Sequence, residues 1–157
     1  MEDKLTLTTK ELKQIEESVE KLLSLLEIEG TFEVVPGIDH LDIALDTKDT
    51  GIVIGYHGEA LDSLQLMFSL IISKKIGRFI RISIEVDGYK KNRTEYLEKL
   101  AEQTKSKVLT ENQAQTLFAL KPWERRIIHL YLQNDEQVTA ESEGVGKDRA
   151  LVVKAKA

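Results

Sequence analysis

The chain has 157 residues, of which 41% are hydrophobic and 31% are charged, a balance typical of a globular protein. This length accommodates one average domain or two very small ones. The absence of cysteine excludes disulfides and thiolate metal sites, and no apolar run approaches the ~20 residues that cross a bilayer. The acidic start (Met1, Glu2, Asp3) is unlike a signal peptide, so we expect a cytoplasmic location.

Charge is divided unequally along the chain, whose net value is −5. Residues 1–50 hold 5 Lys/Arg and 13 Asp/Glu, a net charge of −8, whereas residues 51–157 hold 17 and 14, a net charge of +3. Because screening confines each charge to about 8–10 Å, the acidic part does not exclude a nucleic-acid surface elsewhere. It does predict weak nonspecific binding.

The first half of the chain alternates helical and extended patterns. Thr8 or Thr9 is suited to cap the first helix, and Pro36-Gly37 marks the turn of a hairpin. The β-branched residues 52–54 have the propensity of a strand, although two glycines follow closely. The predicted elements are a helix at 9–28, strands at 31–35 and 41–45, a helix at 60–76 and a strand at 79–86.

The second half has the order α-β-α-β-β. Asp87-Gly88 turns the chain into a long helix, and Pro122 stands where a first helical residue is favoured. The predicted elements are a helix at 89–109, a strand at 115–120, a helix at 122–133 and strands at 136–142 and 150–155.

The segment Gly55-Tyr56-His57-Gly58 lies directly before a predicted helix. Glycines let the backbone turn sharply and approach a ligand, and the N–H groups at a helix start receive phosphate well. Taken alone, the pattern is more often a tight turn than a binding site.

The wider segment Gly51–Gly58, continued by Glu59–Gln65, resembles a type II KH domain and is similar to that of the Jag/KhpB/EloR family of bacterial RNA-binding proteins. The resemblance implies a short helix over residues 49–54, against their strand propensity. It also implies that Gly55, Tyr56, His57 and Gly58 contact the backbone of about four nucleotides.

The two central residues of this loop depart from the family pattern, which has Lys or Arg there. Tyr56 has a ring that stacks on a base, an effect worth about 1–3 kcal/mol. His57 is mostly neutral at pH 7 and attracts phosphate little. Weak RNA affinity, or a KH domain used for protein contacts, therefore stays open.

A second motif consists of Arg125 and His129, whose spacing places both side chains on one helix face. Because Trp123, Ile127, Leu130 and Tyr131 occupy the adjoining face, we expect the pair to point outward. Together with Ser142–Arg149, the segment resembles the R-3-H (Arg-x-x-x-His) domain that follows KH in the same family. The resemblance implies a face for single-stranded nucleic acid, formed by Lys121, Arg125, Arg126, His129, Lys147 and Arg149.

The sequence does not match the motifs of phosphate-binding loops or metal sites that enzymes use. Gly144–Lys147 has the end of a phosphate-binding loop, but Glu141 replaces its first glycine and Asp148 its Ser or Thr. The three histidines show no metal-ligand spacing. We therefore predict no catalytic residue, no metal and no cofactor.

The resemblance covers roughly residues 8–157 and implies an α+β fold, with a KH domain at 8–87 and an R-3-H domain at 88–157. From the resemblance we expect this sequence to lack the small N-terminal domain and the basic linker that longer family members carry before the KH domain. The implied function is single-stranded RNA binding by a cytoplasmic regulator linked to cell elongation and division. The implied protein partner is a single-KH-domain protein of the KhpA type, or a second copy. The alternative is an interaction scaffold that dimerises through its KH domain and has vestigial RNA binding.

Overall fold

The computed structural model describes residues 5–157, and the acidic start at residues 1–3 lies outside them. The chain divides into two compact units, the first ending at Lys90 and the second spanning Lys91–Ala157. In the described range, the helices are all too short or too polar to cross a bilayer.

The first unit has the order α-β-β-α-α-β, as the KH resemblance predicted, and the predicted α+β class is confirmed. Its sheet has the strand order β1-β2-β3, with β1 antiparallel to β2 and β3 parallel to β2. The elements are α1 (Thr9–Leu25), β1 (Gly30–Pro36), β2 (Leu41–Thr47), α2 (Thr50–Ile54), α3 (Glu59–Ile76) and β3 (Ile82–Val86).

Helix α1 begins at a capping box formed by Thr8 and Glu11. The Thr8 hydroxyl accepts the Glu11 N–H at 3.2 Å, and the Glu11 carboxylate accepts the Thr8 N–H at 2.8 Å. The hydrogen bond from the Thr8 backbone N–H, and after it the one that the Thr8 hydroxyl donates to the same carboxylate at 2.9 Å, lower the pKa of the Glu11 carboxyl. The helix ends three residues earlier than predicted, and Glu27 turns the chain with a φ of 55°.

The segment that precedes the glycine loop is helical. This confirms the short helix implied by the resemblance, and the interpretation of residues 52–54 as a strand is wrong. The helical turn buries Val53, which is 1% exposed, and leaves Ile52 76% exposed. It closes with a 2.9 Å hydrogen bond from the Gly55 N–H to the Gly51 carbonyl. The burial of Val53 thus outweighs the strand propensity of residues 52–54.

Strand β3 begins at Ile82, three residues later than predicted. The residues before it are held by α3, because the Ser69 hydroxyl donates to the Ile80 carbonyl and the Ile80 N–H donates to Ser73 Oγ. Phe79, predicted within the strand, is instead 75% exposed in the connection.

The second unit packs two helices and a three-stranded antiparallel sheet with the order β4-β6-β5 around one core. Its order α-β-α-β-β agrees with the sequence pattern. Helix α4 begins at the last two residues of the first unit. The elements are α4 (Tyr89–Glu111), β4 (Gln115–Leu117), α5 (Pro122–Leu132), β5 (Val138–Glu143) and β6 (Ala150–Ala155).

Two ion pairs join α4 to the region of α5. Arg93 Nε lies 2.7 Å from Glu124 Oε1, and the Glu124 side chain is 1% exposed. Lys105 Nζ lies 2.5 Å from Asp135 Oδ2, just after α5. The hydrogen bond from Lys105 lowers the pKa of the Asp135 carboxyl, and the same bond raises the pKa of Lys105.

The rotation of α5 differs from the prediction. Its buried positions are Glu124, Ile128 and Leu132, whereas Leu130 is 53% and Tyr131 46% exposed. The apolar face inferred from the sequence is therefore only partly in the core, because the buried ion pair turns Glu124 inward.

Candidate nucleic-acid interface

The loop Gly55–Gly58 connects α2 to α3 and requires glycine at both ends. Gly55 has a φ of 67° and Gly58 a φ of 75°, a region that strains other residues. A Cβ on Gly55 would lie 2.5 Å from the Cβ of Ala60, and one on Gly58 would lie 2.8 Å from Oη of Tyr89. The backbone of the loop is therefore packed tightly against the start of α3, whose first N–H groups lack partners within the helix.

The two residues at the centre of the loop present their rings to solvent. Tyr56 is 76% exposed, and its ring stands edge-to-face on that of His57, with centroids 4.1 Å apart. His57 takes a φ of 49°, a left-handed conformation that histidine tolerates better than β-branched residues do. The loop thus offers one exposed aromatic ring beside its backbone donors.

The surroundings of the loop are acidic in sequence. Residues 49–73 contain three carboxylates and no lysine or arginine, and Glu59 follows Gly58 directly. The side chains of this stretch therefore attract phosphate weakly, and a phosphate bound by the loop itself would depend on backbone N–H groups.

An open pocket of about 310 Å³ lies in the second unit, between α5 and the strands β5 and β6. Arg126, His129 and Arg149 are exposed around it, and Arg125 is half-buried. Three arginines and a histidine around one cavity are groups whose chemistry suits an anion, which makes the pocket a candidate site. The lining residues are Pro122, Arg125, Arg126, His129, Ser142 and Arg149.

The two residues of the R-3-H motif each also hold the structure together. Arg125 Nη1 donates to the Leu120 carbonyl at 2.7 Å, which fixes the turn before α5. His129 Nδ1 lies 3.0 Å from the Ala140 carbonyl, an acceptor, so Nδ1 carries the proton. In the neutral ring, Nε2 is then an acceptor.

The pocket brings together four of the six cationic or histidine residues predicted for this unit. Lys121 precedes α5, with its N–H donating to Glu124 Oε2 at 2.9 Å, and it does not line the pocket. Lys147 lies in an exposed single turn between β5 and β6, also outside the lining. Ser142 and Tyr89 were not predicted as site residues. The position of Ser142 at the start of the motif segment Ser142–Arg149 could have identified it from the sequence. No sequence feature pointed to Tyr89.

Within residues 5–157, no cluster of histidine and carboxylate side chains has the arrangement of metal ligands.

Family models match both units. The model of the KhpA/KhpB KH domain matches residues 13–86, and the model of the R-3-H domain matches residues 95–155. The first match includes the Gly55–Gly58 loop, and the second includes every residue that lines the pocket.

Curated proteins named RNA-binding protein KhpB are similar to the chain. The one from Clostridium symbiosum is 37% identical over 116 residues, which cover 74% of this chain and 52% of that protein. The one from Streptococcus pneumoniae is 29% identical over 135 residues, covering 86% and 41%. The one from Lactiplantibacillus plantarum is 30% identical over 128 residues, covering 82% and 40%. The chain thus spans about half or less of the length of these relatives. With both units matched in order, it belongs to the family that joins a KhpA/KhpB-type KH domain to an R-3-H domain.

Proposed function

We propose that the chain binds single-stranded RNA through the pocket beside α5 and through the Gly55–Gly58 loop. The observation that carries the proposal is the convergence of Arg126, Arg149 and His129 on one open cavity of about 310 Å³. Guanidinium groups bind phosphate through paired, charge-assisted hydrogen bonds. The names of the relatives, each an RNA-binding protein, support the same function.

The two sites contribute different chemistry. At the pocket, Arg126 and Arg149 hold phosphates, and the hydroxyl of Ser142 is within the same lining to donate a further hydrogen bond. At the loop, backbone N–H groups hold a phosphate, and Tyr56 stacks on an unpaired base. Neither site requires a catalytic step, a metal or a cofactor.

The test is the affinity of the full chain for a single-stranded RNA of about 12 nucleotides, measured by fluorescence anisotropy across a salt series. Replacing Arg126→Gln and Arg149→Gln together should weaken binding about tenfold or more, or ~1.4 kcal/mol. The loss of two phosphate contacts should also reduce the slope of log affinity on log salt by about 1.4.

The matched control replaces Lys99→Gln and Lys107→Gln, two exposed residues of α4 that do not line the pocket. It changes the net charge equally and should leave affinity within about twofold. Equal losses in both variants would show a general charge effect, and a chain that binds no RNA at all would refute the proposed function.

A second candidate function is a scaffold whose KH domain pairs with another KH domain, either a second copy or a single-domain protein of the KhpA type. It is favoured by an apolar groove of about 280 Å³ lined by Leu26, Ile52, Leu64 and Met67 among others, and by the acidic surroundings of the loop. Light scattering over a concentration series, read beside the RNA affinity of the same chain, distinguishes the scaffold from the RNA-binding function. A scaffold forms dimers and shows no RNA binding at the same concentrations.

The cellular setting is also a proposal. We infer a cytoplasmic regulator that acts on RNA in connection with cell elongation and division, because the chain resembles bacterial family members with that role.

A further inference from the structure

Four of the ten lysines and arginines of the first unit lie together in one segment, at the end of α3 opposite to the glycine loop. The segment Lys74–Arg81, with the sequence KKIGRFIR, has four cations and no carboxylate, whereas residues 49–73 have no cation. The segment covers the end of α3 and the connection to β3, and the loop precedes the start of α3. Because α3 has 18 residues and each adds 1.5 Å, about 27 Å separate its two ends.

The sheet register confirms that the cations and the loop lie at opposite ends of the unit. The first residues of β2 and β3, Leu41 and Ile82, are paired, and the Leu41 N–H donates to the Arg81 carbonyl at 2.8 Å. The other end of β3 leads to Tyr89, which packs against Gly58 of the loop.

Two of the cations are anchored by α1. Arg78 Nη2 donates to the Thr6 carbonyl at 2.7 Å and lies 3.4 Å from Glu11 Oε1, yet 44% of its side chain stays exposed. Lys75 Nζ donates to Ser18 Oγ at 3.0 Å. Both groups keep further N–H donors for a ligand, and their positions are fixed in advance.

The other cations are more open, and an aromatic ring stands among them. The side chain of Arg81 is 72% exposed, with its nearest carboxylate, on Asp39, 3.9 Å away. Lys74 is exposed on the last turn of α3. Phe79 is 75% exposed, while Ile80 beside it is 1% exposed and supplies the packing of this connection. The ring of Phe79 is therefore available for a ligand and is not needed for the core.

We propose that Lys74, Lys75, Arg78, Phe79 and Arg81, named here the α3–β3 patch, form a second RNA contact of the first unit. The cations hold phosphates, and an unpaired base stacks on Phe79, as aromatic rings in basic grooves do for single strands. The inference rests on the proposed RNA binding and adds a separate surface to it. The patch places four cations at one end of α3, whereas residues 49–73, which include the loop, carry none.

The experiment compares three variants of the full chain with the unaltered chain by anisotropy across a salt series. Lys74→Gln with Arg81→Gln should weaken RNA binding about fivefold or more and reduce the salt slope by about 1.4. Phe79→Leu keeps an apolar side chain but loses the ring, so it should weaken binding about fivefold without changing the slope. Lys21→Gln with Lys48→Gln makes the same charge change outside the patch and should stay within about twofold.

Photo-crosslinking with RNA that contains 4-thiouridine gives a second reading that needs no variant. Crosslinked peptides of the unaltered chain should include residues 74–81. The inference is overturned if folded patch variants and the control bind RNA equally well, or if no crosslink falls in that segment.

Two results separate this inference from the proposed function. Loss of binding in the Arg126→Gln/Arg149→Gln variant together with full binding by the patch variants refutes the patch alone. A chain that binds no RNA refutes both. Binding to phosphatidylglycerol vesicles that the patch variants lose, with RNA binding unchanged, identifies a lipid surface as the partner and also overturns the inference.

Discussion

At the scale of single residues, the buried carboxylate of Glu124 fixes where α5 begins. It accepts the Lys121 N–H at 2.9 Å and lies 2.7 Å from Arg93 Nε, with 1% of its side chain exposed. The next two residues, Arg125 and Arg126, line the pocket. A displacement of the helix start would therefore move the pocket's guanidinium groups, so this ion pair positions the site without facing it.

Replacing Arg93→Met should lower the free energy of unfolding of the second unit by about 3–5 kcal/mol, because Glu124 is then a buried carboxylate without its cation. Adding Glu124→Gln should restore a large part of this loss, since the amide still accepts the Lys121 N–H but carries no charge. Urea denaturation measures both variants, with the exposed Lys91→Met as the control. A double variant that is less stable than Arg93→Met would contradict this account.

Spacing along the sequence identified Arg125 and His129 as neighbours on α5, but it did not identify their hydrogen-bond acceptors within the protein. Their acceptors are the carbonyls of Leu120 and Ala140, and a backbone carbonyl carries no sequence signal. The burial of Glu124 also escaped prediction, because its cation lies 31 positions away on another helix. Residue types and local spacing are thus readable from the sequence, whereas nonlocal hydrogen bonds are not.

At the scale of elements, two glycines near the connection from α2 to α3 have different backbone conformations, Gly51 within the helix α2 and Gly55 at its end. Gly51 is an exposed helical residue, and a Cβ there would meet nothing within 4 Å. Gly55, four residues later, has a positive φ and no room for a Cβ. The same residue type therefore has opposite roles at the two positions.

Gly51→Ala should stabilise the first unit by about 0.5–1 kcal/mol, because alanine is the better helix former. Gly55→Ala should destabilise it, since the new Cβ overlaps that of Ala60 in a strained conformation. Thermal unfolding of the two variants, each differing from the parent by one methyl group, measures the contrast. A shift of the same sign in both would mean that the loop is remodelled rather than strained.

Sequence signals located most elements but misplaced several of their ends. The cap at Thr8 and the predicted end of the helix at residue 76 agree with the structure, because the capping residues Thr8 and Gly77 act within one helical turn. The start of β3 was not, since it depends on Ser69 and Ser73 binding Ile80 from another element. Strand β4 has three residues instead of the six predicted, and the chain leaves it before Ala119, which has a φ of 56°.

At the scale of the whole molecule, two units with separate candidate surfaces lie on one chain. In each unit one strand pairing joins segments distant in sequence, β2 with β3 and β4 with β6, and periodicity alone did not specify it. Because the units are covalently linked, the proposed RNA binding by one unit would present the strand to the other at a raised effective concentration.

Affinity should therefore rise steeply once the RNA exceeds a threshold length of about 8–12 nucleotides, when one strand reaches both units. The Arg126→Gln/Arg149→Gln variant should lose this rise while it keeps the weak affinity for RNA of about four nucleotides, which only one unit holds. Anisotropy against a series of lengths measures both chains. A gradual increase that is the same in the two would show that the units bind independently.

The hydrogen bond from the Ile84 N–H to Gln65 Oε1, at 2.9 Å, occupies one backbone donor on β3, an outer edge of the first sheet. Open strand edges are templates on which a second chain adds a strand, the route to aggregation. The opposite edge of that sheet, among residues 5–157, is β1, where Glu33 is exposed and Pro36 lacks an N–H. Copies of the protein at high concentration are thus discouraged from joining their first sheets edge to edge.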